Sequence, residues 1–246
     1  MIQLRQNASL QEQRGAVIMI MLLILIMGSA YFLLTKLNKG DAQQPRTVDA
    51  TVDLGAITAA LIGYAQSNAA SHCLPCPSLS ATNGVAPASC DNSTRAGYLP
   101  WETLGLGDLD SWGHRLRYSV DPDYTTGCDY SDTVLDMNIQ TRDNAGLVQP
   151  VALASPPVAV IVSLGANGFG ARAANGTAQA NPPASHVDEL TNQTATTSFM
   201  QRTQTDDPTV TGGPFDDLIV WVTRQELRDQ VDTALGGTTA SPVLPP

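Results

Sequence analysis

From Ala16 to Thr35 the chain runs for twenty residues (AVIMIMLLILIMGSAYFLLT) without a charge, directly behind Arg14-Gly15. The hydrocarbon core of a bilayer is about 30 Å thick, and a helix needs about 20 apolar residues to cross it. The run therefore predicts a membrane-spanning helix over 16–35, with the rest of the chain carried on that stalk. A secretory signal would have a shorter apolar region, about 7–15 residues, and a small-x-small cleavage site. Here the run ends in Leu33-Leu34-Thr35-Lys36, and the separable junction lies before it, between Gly15 and Ala16. A processed leader over 1–15 and a plain membrane anchor are both consistent with this segment.

Charge bounds what the remainder can bind. The chain has 23 acidic residues, and removing Glu12 and Asp41 leaves 21 past Arg46; of 13 basic residues, removing Arg5, Arg14, Lys36, Lys39 and Arg46 leaves 8, a net charge of −13. No lysine follows Lys39. Nucleic-acid binding needs clustered Lys and Arg against the phosphates, so no nucleic-acid partner is expected. Divalent cations suit such a domain better. Arg5 and Arg14 precede the apolar run while Lys36, Lys39 and Arg46 follow it, so the positive-inside rule sets no orientation. The even set Cys73, Cys76, Cys90 and Cys128 lies in Pro-, Ser- and Asn-rich sequence and suits an oxidising compartment. That places the domain in the periplasm.

The cysteines have two chemistries. Cys73-x-x-Cys76 with His72, Cys90 or His114 has the ligand types of a zinc site. Disulfides are the commoner use, and four cysteines allow three pairings. A bond across the two-residue gap between Cys73 and Cys76 would be strained outside a redox motif, and no thioredoxin-like pattern surrounds it. Cys76–Cys90 and Cys73–Cys128 are the favoured pairs.

Gly40–Pro45 is a breaker, since Pro45 lacks the amide hydrogen a continuing helix needs. Within residues 36–70 a helix resumes from Thr47 to Ala70, with Leu54, Ile57, Leu61 and Tyr64 on one face. A head over 71–246 follows, opening on a Cys-, Pro- and Ser-rich loop to residue 97. Strands are expected over Arg115–Val120, Leu147–Leu153, Val158–Leu164 and Leu218–Thr223, and a closing helix over Arg224–Leu235. Residues 165–213 read as one long polar loop, a length that in a folded domain is usually functional or disordered.

Calcium takes six to eight oxygens from carboxylates, Asn side chains and carbonyls in an irregular loop. Asn167, Asp206, Asp207, Asp216 and Asp217 would supply them if the segment from Gly165 folds back on the strand beginning at Leu218. The competing reading leaves Asp206 and Asp207 solvated and Asp216-Asp217 as the approach to a strand. A second acidic stretch, Asp121-x-Asp123 with Asp129 and Asp132, loosely echoes an EF-hand, but Gly127 falls one place late and no glutamate closes it; it reads as a turn. Catalysis finds no support. His72, His114 and His186 are the only histidines, Ser163 sits outside a Gly-x-Ser-x-Gly elbow, and Gly165-x-x-Gly168-x-Gly170 lacks the Lys-Ser/Thr of a phosphate loop. Trp101, Trp112 and Trp221 are read as core anchors.

Three further motifs, in order, join the leader: Leu74-Pro75-Cys76-Pro77 followed by Gly97-Tyr98-Leu99-Pro100-Trp101; Asp110-Ser111-Trp112-Gly113-His114-Arg115-Leu116-Arg117-Tyr118; and Ser163-Leu164-Gly165-Ala166-Asn167-Gly168, later met by Asp216-Asp217-Leu218-Ile219-Val220-Trp221. Together they resemble the type IV pilins and type II secretion pseudopilins over the stalk and about half of the remaining chain. The family carries Ser-Leu-Gly-Ala-Asp-Gly in its calcium loop, so Asn167 is a departure, as is the long insertion after Gly170. A further departure is Ile20, the fifth residue after the Gly15–Ala16 junction, where the family usually has an assembly glutamate.

The resemblance implies an α+β fold in which a long N-terminal helix, membrane-spanning in its first half, packs on a small antiparallel sheet. It implies a non-enzymatic minor or tip-type subunit of a secretion or pilus apparatus, joined through Leu54, Ile57 and Leu61. Its partners would be the inner membrane, other pilin subunits and a prepilin peptidase. The alternative is a membrane-anchored periplasmic binding protein or adhesin that does not polymerise.

Overall fold

Helix α1 (Gln44–Ser67) starts three residues earlier than its apolar pattern suggests. Pro45 falls in its first turn, where the missing amide has no partner to lose, so it opens the helix and does not break it. In this computed structural model the described residues are 19–27, 29, 44–68, 71–128, 130 and 136–235, with backbone alone for 44–53. The stripe Leu54, Ile57, Leu61 and Ala65 is buried, at the three- and four-residue spacing of one helix face. His72 then turns the chain at φ 53°, its Nδ1 3.2 Å from the Ala65 carbonyl and its own carbonyl accepting from the Tyr130 hydroxyl at 2.5 Å.

The first sheet is antiparallel, in the order β1 (Ala96–Tyr98), β2 (Arg117–Val120), β5 (Pro157–Ser163) and β7 (Leu218–Thr223). β5 is its axis. Its sequence PVAVIVS has no polar alternation because all seven residues are buried, covered on both faces. Val158 and Ile161 join α1, Tyr118, Val222, Leu227 and Val231 in one core. Val160, Val162 and Leu164 join Met137, Ile139, Phe199 and Ile219 in a second.

That second core separates the first sheet from another of three strands, ordered β4 (Val148–Pro150), β3 (Asn138–Arg142) and β6 (Ser198–Met200). β3 runs antiparallel to β4 but parallel to β6, pairing Ile139 with Phe199. A one-turn helix α2 (Trp101–Leu104) follows β1. Helix α3 (Val187–Thr194) braces β6 through the buried Asn192, whose amide donates to the Met200 carbonyl at 2.9 Å and accepts from the Met200 amide at 2.8 Å. Helix α4 (Arg224–Ala234) is capped by Thr223 Oγ1, which accepts from the Glu226 amide at 3.1 Å, and buries Leu227 and Val231. Cys73 is bonded to Cys128 and Cys76 to Cys90, so none of the four thiols is available to zinc.

Several expectations are corrected. The chain divides into Met1–Thr47 and Val48–Pro246. In the first unit, residues 19–27 are helical with every side chain exposed. Among the described residues no helix is long and apolar enough to cross a membrane. The expected membrane-spanning helix over 16–35, the single-pass inner-membrane location with a periplasmic domain, and the inner membrane as partner are therefore set aside. The leader 1–15 and the Gly15–Ala16 junction lie outside the described residues.

The pilin-like fold class is also replaced, by a mixed α+β domain with short helices and two small sheets. A long helix on a single antiparallel sheet was the wrong template because the segment 165–213 is not a loop. It contributes α3 and β6, and with them the parallel pair. Leu54, Ile57 and Leu61, proposed as an assembly face toward other pilin subunits, are spent on the domain's own core, while Ile20 is 59% exposed.

Candidate metal centre

The register of β5 on β7 sets Ser163 opposite Leu218. The turn leaving β5 at Leu164–Gly168 therefore faces Asp216 and Asp217, which lead into β7. Gly165 makes the approach possible. Its φ is +64°, and any side chain there would collide with the Asp216 carboxylate. The Asn167 amide donates to Asp216 Oδ2 at 2.8 Å. Helix α3 closes the site from the other side with Glu189, in its first turn and fully buried.

Glu189, Asp216 and Asp217 each present a carboxylate oxygen within 4.8 Å of the others. Glu189 Oε1 accepts from Asn167 Nδ2 at 2.7 Å, and Oε2 lies 2.8 Å from His186 Nδ1. Asp217 Oδ2 accepts from Asn192 Nδ2 at 2.9 Å. Asp216 Oδ1 is buried and has no hydrogen-bond partner. Burial pushes the Asp216 carboxyl up to about 6, the Asn167 amide opposing and the nearby Glu189 carboxylate adding to the rise. Burial likewise raises Asp217 well above the usual carboxylate range; Asn192 opposes, and Glu189 and Asp216 add to it. Three acids crowded out of water are costly when all are ionised, and a bound divalent cation removes that cost. Oxygen-only donors on an irregular turn suit calcium, which tolerates mixed carboxylate, amide and carbonyl ligands.

Of the residues expected at a calcium site, the fold brings Asn167, Asp216 and Asp217 together. Asp206 and Asp207 are not with them: both are exposed, and Asp207 Oδ1 accepts from Thr209 in a local turn. Glu189 and His186 had no signal in the sequence, because the segment carrying them was read as loop. Asp121 accepts from the Asp123 amide at 3.1 Å and caps a short turn, whereas Asp129 and Asp132 lie outside the described residues. Ser163 is fully buried and donates to Asp110 Oδ2 at 2.6 Å. Trp101 is buried beneath Arg115, whose guanidinium carbon lies 4.1 Å from the ring centroid. Trp112 and Trp221 are partly buried, Trp221 against the second core.

The filament role and the anchored periplasmic binder both needed a spanning helix, and neither matches this geometry. The prepilin peptidase and fellow pilin subunits fall with them as partners. No family model, curated protein or solved structure matches the chain, so the pilin and pseudopilin resemblance of its short motifs is not upheld.

Proposed function

We propose that this chain is a non-enzymatic domain that takes up a divalent cation, calcium by its donor chemistry, at Glu189, Asp216 and Asp217. The observation that carries the reading is the buried Asp216 Oδ1 without a partner, among three carboxylates within 4.8 Å. The ion ties the turn after β5, helix α3 and the start of β7 into one unit. Its role is to stiffen a domain built largely from short elements.

The non-enzymatic part rests on what the reactive groups are doing. All four cysteines are in disulfides, and the Ser163 hydroxyl is committed to Asp110.

Calcium titrated into the EDTA-stripped, dialysed full chain tests this by calorimetry and by thermal melting. Saturable heat and a rising melting midpoint are expected with calcium. Magnesium, which demands a tighter octahedral shell, is expected to give a smaller effect. No heat and no shift with calcium at neutral pH would overturn the proposal.

A further inference from the structure

We propose that a second, separate site, the cavity floored by Arg142 and Arg202, binds a hydroxylated monocarboxylate of the hexuronate class. The cavity measures about 620 Å³, which lies within the usual range for small-molecule sites. It is walled by the β3–β4 hairpin and by the segments that follow β6, and shares no residue with the carboxylate cluster.

Two guanidinium groups sixty positions apart meet there over one carboxylate. Arg142 Nε and Nη2 donate to Asp188 Oδ1 at 3.1 and 2.7 Å, and Arg202 Nε lies 2.8 Å from Asp188 Oδ2. Asp188 is fully buried, and the two arginine side chains are only 14% and 8% exposed. The floor therefore carries one more positive than negative charge, out of bulk water, in a chain with a net charge of −10. Burial lowers the Arg202 pKa, and Arg142 adds to that lowering while Asp188 opposes it.

The donors are not exhausted. A guanidinium has five N–H groups. Arg142 uses one on each nitrogen, the last from Nη1 to the Gly146 carbonyl at 2.7 Å, which leaves two. Arg202 also donates to the Gly213 carbonyl, and its plane is fixed over the Phe215 ring at 4.9 Å. A carboxylate is the planar anion such a fork takes. Gly212 lets the opposite wall cross the ion network, since a side chain there would overlap the Asp188 carboxylate.

The remaining lining sets the ligand class. Thr203 and Thr211 offer hydroxyl groups and Gln204 its amide oxygen, while Gln204 Nε2 donates to the Asp216 carbonyl and the Thr209 hydroxyl to Asp207; no aromatic side chain is among the lining residues. That suits a polyol and gives a nucleobase nothing to stack on. Asp143 also lies in the lining, with its Oδ1 held by the Ala145 and Leu147 amides at 2.9 Å. Together with Asp188 it balances the two guanidinium charges, which disfavours a dianion such as phosphate more than a monoanion.

The test is calorimetric titration of D-glucuronate into the full chain, with D-glucose and inorganic phosphate as comparison probes. Saturable glucuronate binding with a Kd of about 1 mM or tighter is expected, with glucose and phosphate at least about tenfold weaker. Arg202→Lys keeps a charge for Asp188 but loses the planar fork, and is expected to weaken glucuronate about tenfold. Should that variant fail to fold, Thr203→Val and Thr211→Val, with unchanged melting midpoints, are expected to weaken it about threefold each. No saturation by about 10 mM glucuronate, equal binding of glucose or phosphate, or undiminished binding in the two lining variants overturns the proposal.

Discussion

Replacing Asp216 by Asn should make the metal-free protein more stable and the calcium-treated protein less responsive. Folding raises the Asp216 carboxyl from 3.8 to about 6. The folded state therefore holds that proton more tightly than the unfolded chain does. Stability of the metal-free protein falls as pH rises from about 4 to about 6, then stays low. Two pKa units at about 1.4 kcal/mol each set an upper bound of about 3 kcal/mol. Asp216→Asn abolishes the penalty while keeping an oxygen for the Asn167 amide, and the new NH₂ can donate to Glu189. Allowing for a weaker bond from that amide, the expected gain at neutral pH is about 1–3 kcal/mol. In a domain of this size that is a rise of roughly 2–10 °C in melting midpoint.

Calcium reverses the order. At a hundred times its Kd it should stabilise the parent by about 2.7 kcal/mol, and the variant by much less. Melting curves from pH 4 to 8, in EDTA and in calcium, decide the matter. An Asp216→Asn variant less stable than the parent in EDTA at neutral pH, or a parent midpoint flat between pH 4 and 6, would refute the reasoning.

Removing the Cys73–Cys128 bond by a double Ser substitution should cost about 4 kcal/mol in urea unfolding, against about 3 kcal/mol for Cys76–Cys90, because the first closes the longer loop. Asn192→Ala should cost about 2–4 kcal/mol by the same assay, since it strands the Met200 backbone and the Asp217 carboxylate together. Asp188→Asn leaves two buried guanidinium groups over a neutral side chain, and should cost about 3–5 kcal/mol. Gly165→Ala should abolish the calcium-dependent rise in melting midpoint, because its methyl group and its φ of +64° both displace the turn from Asp216.

The strands that face a core on both sides were the legible ones. PVAVIVS and LIVWVT announce β5 and β7 by continuous apolar character, and the α1 stripe shows its period. β1, β3 and β6 are three to five residues long, with sequences AGY, NIQTR and SFM that carry too little pattern to stand out. The Asn192 amide, not a hydrophobic repeat, fastens β6. Half of the candidate metal centre was legible because the Ser-Leu-Gly turn and Asp216-Asp217 border recognisable strands. Glu189 was not, because its position depends on α3 docking across the sheet. The long apolar run misled too: its lack of charge suggested a spanning helix, and among the described residues none is long and apolar enough.

The parallel pairing of β3 with β6 ties residues 138–140 to residues 198–200. Parallel strands cannot close through a tight turn, so the chain between them must be threaded before the ladder gains anything. The hairpin of β3 with β4 is local, and α4 follows β7 directly, so those contacts form with little delay. The second sheet should thus be completed late, after the barrier. Interactions absent from the barrier leave folding speed alone and slow unfolding. An ion held by Glu189 in α3, beside that late-forming pair, would therefore act as a brake on opening and leave the rate of assembly unchanged.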